Sequence, residues 1–173
     1  GLLPLIQLVA AHPEWSLDLA GSGAEQDEIL AAAGDLPNIT YHGQVPYRRA
    51  LELNAGADVL PALYDPAIAN HRFASPNKLF EGMLLGKPVV GARGTNVDRI
   101  IKEEACGEVV TYGAWEQLEA ALQRLEDDAY RARLGRNARR AYEQTYGWER
   151  MAERLRALYA EVTAGAPGEG KKP

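Results

Sequence analysis

A single cysteine, Cys106, among 173 residues excludes an internal disulfide, so nothing in the sequence demands an oxidising compartment. No set of cysteines and histidines has the spacing of metal ligands. Long apolar runs are also scarce. The longest near the start, Leu2 to Ala11, is broken by Pro4 and Gln7, is too short to span a bilayer and has no basic leader, so it reads as a packed helix. Positive charge is neither in excess nor clustered: 19 Lys and Arg face 24 Asp and Glu, leaving a formal charge of -5. Nucleic acid is disfavoured as a partner. A cytoplasmic setting is the default, with a peripheral place on a membrane surface left open.

What is present is a chain with 46% hydrophobic residues, enough for one substantial core and too short for two ordinary domains. Short β-type runs at Trp15 to Ala20, Ile39 to His42, Asp58 to Leu63, Pro88 to Ala92 and Glu108 to Tyr112 alternate with helical segments. Those segments fall at about Ala24 to Ala33, Tyr47 to Ala55, Asn77 to Leu85 and Val97 to Glu104. The alternation predicts an α/β domain with a doubly wound parallel sheet and helices on both faces. Beyond the last strand the pattern is helical, with Trp115, Leu118, Leu122 and Leu125 on one face and Met151, Leu155, Leu158 and Val162 on another. Both stripes read as core. The domain is expected to run over residues 1–162, followed by a disordered tail at 163–173 rich in Gly, Pro and Lys. The chain opens with a helix where a doubly wound sheet normally opens with its central strand. That strand is expected to be missing, leaving the runs near Trp15 to Ala20 and Asp58 to Leu63 on either side of a gap.

Open α/β sheets bind ligands beyond the carboxyl ends of their strands, so the strand-to-helix turns are the places for chemistry. The first turn, Ala20-Gly21-Ser22-Gly23, lets backbone approach a ligand through its small residues, and it fits an ordinary tight turn equally well. The second, His42-Gly43-Gln44-Val45-Pro46, can expose backbone to the edge of a flat base, while His42 reads as a turn residue because no carboxylate or nucleophile is near it in sequence. The third, Ser75-Pro76-Asn77-Lys78-Leu79-Phe80-Glu81, carries the strongest pattern. Ser75 and Pro76 suit the cap and first position of a helix, so N–H groups near Asn77 and Lys78 point outward at its positive end. The Lys78 ammonium completes a cradle for a diphosphate, and Glu81, one turn on, can accept hydrogen bonds from vicinal ribose hydroxyls. The same spacing also fits a surface Lys78–Glu81 ion pair.

The order of these motifs resembles the C-terminal, donor-binding domain of the GT-B glycosyltransferases of family GT4, the group 1 glycosyl transferases. Leu17-Asp18-Leu19-Ala20-Gly21-Ser22-Gly23, Ile39 through Val45, Ala57-Asp58-Val59-Leu60-Pro61, Leu79-Phe80-Glu81-Gly82-Met83 with Gly86-Lys87-Pro88-Val89-Val90, and the later Arg133 to Ala138 and Tyr146-Gly147-Trp148-Glu149 carry it, covering nearly the whole chain. The resemblance implies a Rossmann-like fold and a nucleoside-diphosphate sugar as donor. It also implies retaining transfer without a metal or other cofactor, consistent with the lack of an Asp-x-Asp loop. It implies that Glu81 binds ribose and that Asn77 and Lys78 with their backbone hold the diphosphate, with Ser75 and Leu79 beside them in the binding site. Gly43, Gln44 and Val45 then line the base, with Gly21 and Gly23 at the first turn. No catalytic residue is implied, and the acceptor, whether glycan, lipid or small molecule, would be held by an N-terminal domain of the same protein upstream of Leu2. One departure is Phe73, where the family often has a sugar-contacting glutamate. A non-catalytic nucleotide-binding or scaffold domain, and a sugar-nucleotide epimerase of the same plan, are the competing readings.

Overall fold

Five short parallel strands alternate with helices in the computed structural model, which describes residues 1–164. In chain order these are α1 (Leu2–Ala10), β1 (Leu17–Leu19), α2 (Gln26–Ala33), β2 (Ile39–Tyr41), α3 (Tyr47–Gly56) and β3 (Leu60–Ala62). Next come α4 (Ala69–Phe73), α5 (Asn77–Leu85), β4 (Val89–Ala92), α6 (Asn96–Glu104) and β5 (Gly107–Val110). The remainder is helical: α7 (Trp115–Leu125), α8 (Asp128–Ala141), a π-helical turn at Tyr142–Tyr146 and α9 (Trp148–Ala164). Every expected strand and helix is present, the strands shorter than the apolar runs that announce them. The one-turn helix α4 has no sequence signal of its own.

Among the described residues β1 pairs only with β2, while β3, β4 and β5 pair in that order, all parallel, so the strands form two separate sheets. β1 and β3 share no hydrogen bond, and Leu2–Ala10 is a helix that takes no place between them. That helix joins the two sheets from one face. Its buried Leu5, Ile6 and Val9 belong to one cluster with Ile39 of β2, Val90 of β4 and Val110 of β5. Asn38 fixes the turn that follows α1, its Nδ2 lying within hydrogen-bond distance of the carbonyls of Val9, His12 and Trp15.

Successive residues of a strand face opposite sides, and β4 uses both. Val90 packs with α1 and α7, whereas Val89 belongs to a second cluster with Leu79 and Met83 of α5, Val97, Ile100 and Ile101 of α6, and Ala138 and Ala141 of α8. Both faces of this sheet are therefore covered by helices. The layers lie close because glycines stand at the contacts: a Cβ on Gly82 of α5 would fall 2.8 Å from Val89 Cγ2, and one on Gly135 of α8 would fall 2.2 Å from the Gly86 carbonyl oxygen.

The C-terminal stripe differs from expectation. Leu155, Leu158 and Val162 are 50%, 55% and 63% exposed and α9 buries no residue, so this stripe is not core. Its periodicity is helical, but no element among the described residues lies against that face. The helix also continues through Thr163 and Ala164, the first two residues assigned to a disordered tail, with the Thr163 hydroxyl donating to the Tyr159 carbonyl. Residues 165–173 of that tail lie outside the described residues. No helix among the described residues is long and apolar enough to cross a membrane.

Gly135→Ala should lower stability by about 1 to 3 kcal/mol, the usual cost of overpacking, read as a lower midpoint in urea. An unchanged midpoint would mean that α5 and α8 separate freely. A second expectation comes from the buried Asp98, whose Oδ2 accepts the Gly94 N–H at 2.8 Å and whose Oδ1 lies 2.5 Å from Lys102 Nζ. Burial pushes its carboxyl up, but Lys102, the Gly94 N–H and Arg93 outweigh that and hold it below the ordinary value of 3.8. A carboxyl depressed in the folded state adds stability above its unfolded value, and that contribution disappears as pH falls through the folded one. Asp98→Asn should therefore cost about 1 to 2 kcal/mol at pH 7, and its deficit relative to the parent should close below about pH 3.8 in pH-dependent thermal melts. A deficit independent of pH would assign the effect to packing.

Candidate functional site

The first two turns beyond the strand ends are tied together. Gly21, at φ +141°, and Gly43, at φ +66°, both occupy backbone space that favours glycine, and the Gly21 N–H donates to the Gly43 carbonyl at 2.8 Å. The Tyr41 hydroxyl adds a bond to the Gly21 carbonyl at 2.6 Å. No atom lies within 4 Å of where a Cβ would stand on Gly21, Gly23 or Gly43, so this double turn presents bare backbone. The Gly21 to Gly23 turn does not run straight into a helix: α2 starts at Gln26, whose N–H bonds back to Gly23. Beyond Gly43, the half-buried Val45 and exposed Gln44 lead into α3 with Pro46 as its cap. His42 does have a carboxylate partner, which sequence distance concealed: its Nε2 lies 2.6 Å from Asp18 Oδ1 on the neighbouring strand.

The third turn is displaced by one residue from expectation. Pro76, not Ser75, is the cap of α5, and Asn77 is its first residue, because the helical hydrogen-bond pattern begins with the Leu79 N–H donating to the Pro76 carbonyl at 3.1 Å. No side chain caps this helix start. Ser75 is instead held from the side, its hydroxyl accepting from Asn96 Nδ2 at 2.8 Å. Asn96 opens α6, so the starts of α5 and α6 are latched together beyond the ends of β3 and β4. Asn77 and Lys78 are exposed, whereas the Leu79 side chain is fully buried and anchors the helix to the core.

Lys78 and Glu81 do not form an ion pair; among the described residues no carboxylate oxygen comes within 4.0 Å of Lys78 Nζ. Crowding around the ammonium pushes its pKa below the ordinary lysine value, and the nearby Glu81 charge opposes that shift. The half-buried Glu81 turns toward α3, where Asn54 Nδ2 donates to its Oε2 at 3.0 Å. Hydrogen bonding and charge from Glu81 in turn raise the pKa of the Tyr47 phenol, at the start of α3. Asn54 was missed from the sequence. Its one signal is its place two turns after Tyr47, on the same face of an amphipathic helix.

Phe73 closes α4 and is 76% exposed, with the Arg72 guanidinium 5.7 Å from its ring centre. Cys106 is no nucleophile: burial pushes its thiol up to about 12, so it carries no thiolate near neutral pH. Among the described residues no three or more His, Cys, Asp or Glu side chains are grouped to hold a metal ion. What the arrangement offers a ligand is bare backbone at three glycines, a positive helix end with a lysine, and a carboxylate one turn inside it.

No curated protein matches the sequence. Solved structures do. The sucrose-phosphate synthase of Thermosynechococcus elongatus aligns with 96% of this chain at a TM-score of 0.79 and 23% identity. A glycosyltransferase involved in avilamycin A biosynthesis aligns with 95% at 0.72 and 27%. Anabaena HepE in complex with UDP-glucose aligns with 93% at 0.75 and 20%. The chain spans 43%, 47% and 45% of those three proteins, less than half of each. The shared architecture is the Rossmann-like, C-terminal type of domain of GT-B glycosyltransferases. With residues 4–157 matching the family model described as glycosyl transferase-like, the chain belongs to that family.

Proposed function

We propose that this protein binds a nucleoside-diphosphate sugar across the carboxyl ends of its strands and acts as the donor half of a retaining group 1 glycosyltransferase of family GT4. An acceptor-binding N-terminal domain would complete it. The observation that carries the reading is the start of α5, where an uncapped helix end and Lys78 stand one turn from a carboxylate that is held by Asn54 rather than neutralised by Lys78. A positive helix end and an ammonium stabilise the charge that grows on a departing diphosphate, and they need no rearrangement as the bond breaks. That chemistry requires neither a metal nor a protein nucleophile. A carboxylate with free acceptor capacity can take both hydroxyls of a ribose, fixing the nucleotide while Gly43, Gln44 and Val45 border the base. The complexes of HepE with UDP and UDP-glucose support a uridine nucleotide as the first ligand to test.

Glu81→Gln should weaken binding of uridine diphosphate about tenfold or more, because charge-assisted bonds are worth about 1.5 to 3 kcal/mol and 1.4 kcal/mol is a factor of ten. The glutamine can still accept from Asn54, so thermal stability should move by less than about 1 kcal/mol. Calorimetric titration and thermal melts of the two proteins check both numbers; equal affinities would remove the ribose role. Addition of EDTA should leave the affinity unchanged, and a tenfold loss would show that a metal takes part. Phe73 favours a second reading, a nucleotide-binding domain that transfers nothing. Sugar transfer or donor hydrolysis by the full-length protein that includes the acceptor-binding domain excludes that reading, and an α-linked product from an α-linked donor supports retention.

A further inference from the structure

The carboxylate expected to meet ribose is half-buried and is gripped from a different helix, by a residue that lies in none of the sequence motifs named above. Asn54 reaches from α3 to Glu81 on α5, 27 residues away, with an Nδ2 to Oε2 distance of 3.0 Å. An amide NH₂ can only donate, so this contact fixes one carboxylate oxygen without consuming the other. Glu81 has several freely rotating bonds, and an unrestrained glutamate would lose that freedom each time a ligand bound. A side chain already held needs no such ordering, which raises affinity by pre-organisation.

We propose that Asn54 is a positioning residue that orients Glu81 toward the two ribose hydroxyls of the nucleotide. The proposal rests on Glu81 being the ribose ligand and adds the residue that makes it effective. The contact also links the two turns of the site mechanically. α3 begins directly after the base-bordering segment Gly43 to Val45, and Asn54 joins its last turns to α5, whose start would hold the diphosphate. The other polar groups facing the carboxylate are the Tyr47 phenol at the front of α3, itself near Tyr142 of the π-helical turn, and Lys78 on the same helix. Tyr47 is 64% exposed and can swing away when a ligand arrives; Asn54 is half-buried and stays.

The test compares uridine diphosphate with its 2′,3′-dideoxy analogue, which lacks both hydroxyls, by calorimetric titration of the protein and three variants. The parent should prefer uridine diphosphate by tenfold or more, and Glu81→Gln should lose that preference. Asn54→Ala should cut it to threefold or less through weaker binding of uridine diphosphate, with affinity for the dideoxy analogue unchanged. Asn54→Asp supplies a control that a merely structural role would not follow. At pH 8 it sets two like charges side by side and should lose the preference, whereas at pH 5 a proton shared between the carboxyls recreates a donor and should restore it. A preference that persists in Asn54→Ala while vanishing in Glu81→Gln would overturn the positioning role alone. Full preference in Asn54→Asp at pH 8 would do the same. Absence of preference in the parent, or its survival in Glu81→Gln, would instead remove the ribose reading on which the proposal rests.

Discussion

Helix α5 lies on β4 with no side chain between them at Gly82, and α8 clamps its far end where Gly135 meets the Gly86 carbonyl. Leu79 and Met83, one turn apart, are fully buried on that side. With the helix pinned along one face, its rotation about its own axis is settled, and so are the directions of the remaining residues. Asn77 and Lys78 are left at the open end beyond the strands, and Glu81 is turned toward α3. Close packing of this kind transmits strain rather than absorbing it, so contacts well behind the site govern its geometry in front.

The electrostatics follow from the same placement. An uncapped helix start carries unsatisfied N–H groups and the positive end of the macrodipole. Lys78 adds a charge whose surroundings lower its pKa, and among the described residues no carboxylate forms an ion pair with it. Capping is stronger at the neighbouring helix: Thr95 accepts from the Asp98 N–H, and Asp98 accepts from Gly94. The Asn96 to Ser75 bond then carries that rigidity across to the segment before α5. One helix start is thus satisfied internally and serves as scaffold for the other, which no side chain caps.

The apolar surface is less complete than the core. Two sheets share one covering helix, α1, and the facing edges of β1 and β3 are unpaired with each other. Leu155, Leu158, Tyr159 and Val162 of α9 stand exposed on a helix that buries nothing.

Periodicity and punctuation in the sequence were enough to determine the alternation of strands and helices, the parallel sheet, and the three turns that follow the carboxyl ends of β1, β2 and β3. Those are local properties: a strand run stops where Gly, Pro or Asn stops it, and a helix starts where Pro46 or Pro76 permits. The motif from Asn77 to Met83 was legible because its buried positions, Leu79, Gly82 and Met83, recur at helical spacing within a single helix. Contacts between distant segments were not legible. His42 against Asp18, Asn96 against Ser75 and Asn54 against Glu81 join residues 24, 21 and 27 positions apart, and only the packing of strands and helices brings them together. The same limit explains α9, whose stripe records that an apolar face exists, whereas burial depends on what lies opposite it. Sequence determined that Lys78 and Glu81 stand one turn apart on a helix; tertiary structure decided that Glu81 turns to Asn54 instead of Lys78, because the axial rotation of α5 is set by Gly82 and Gly135 rather than by the motif itself.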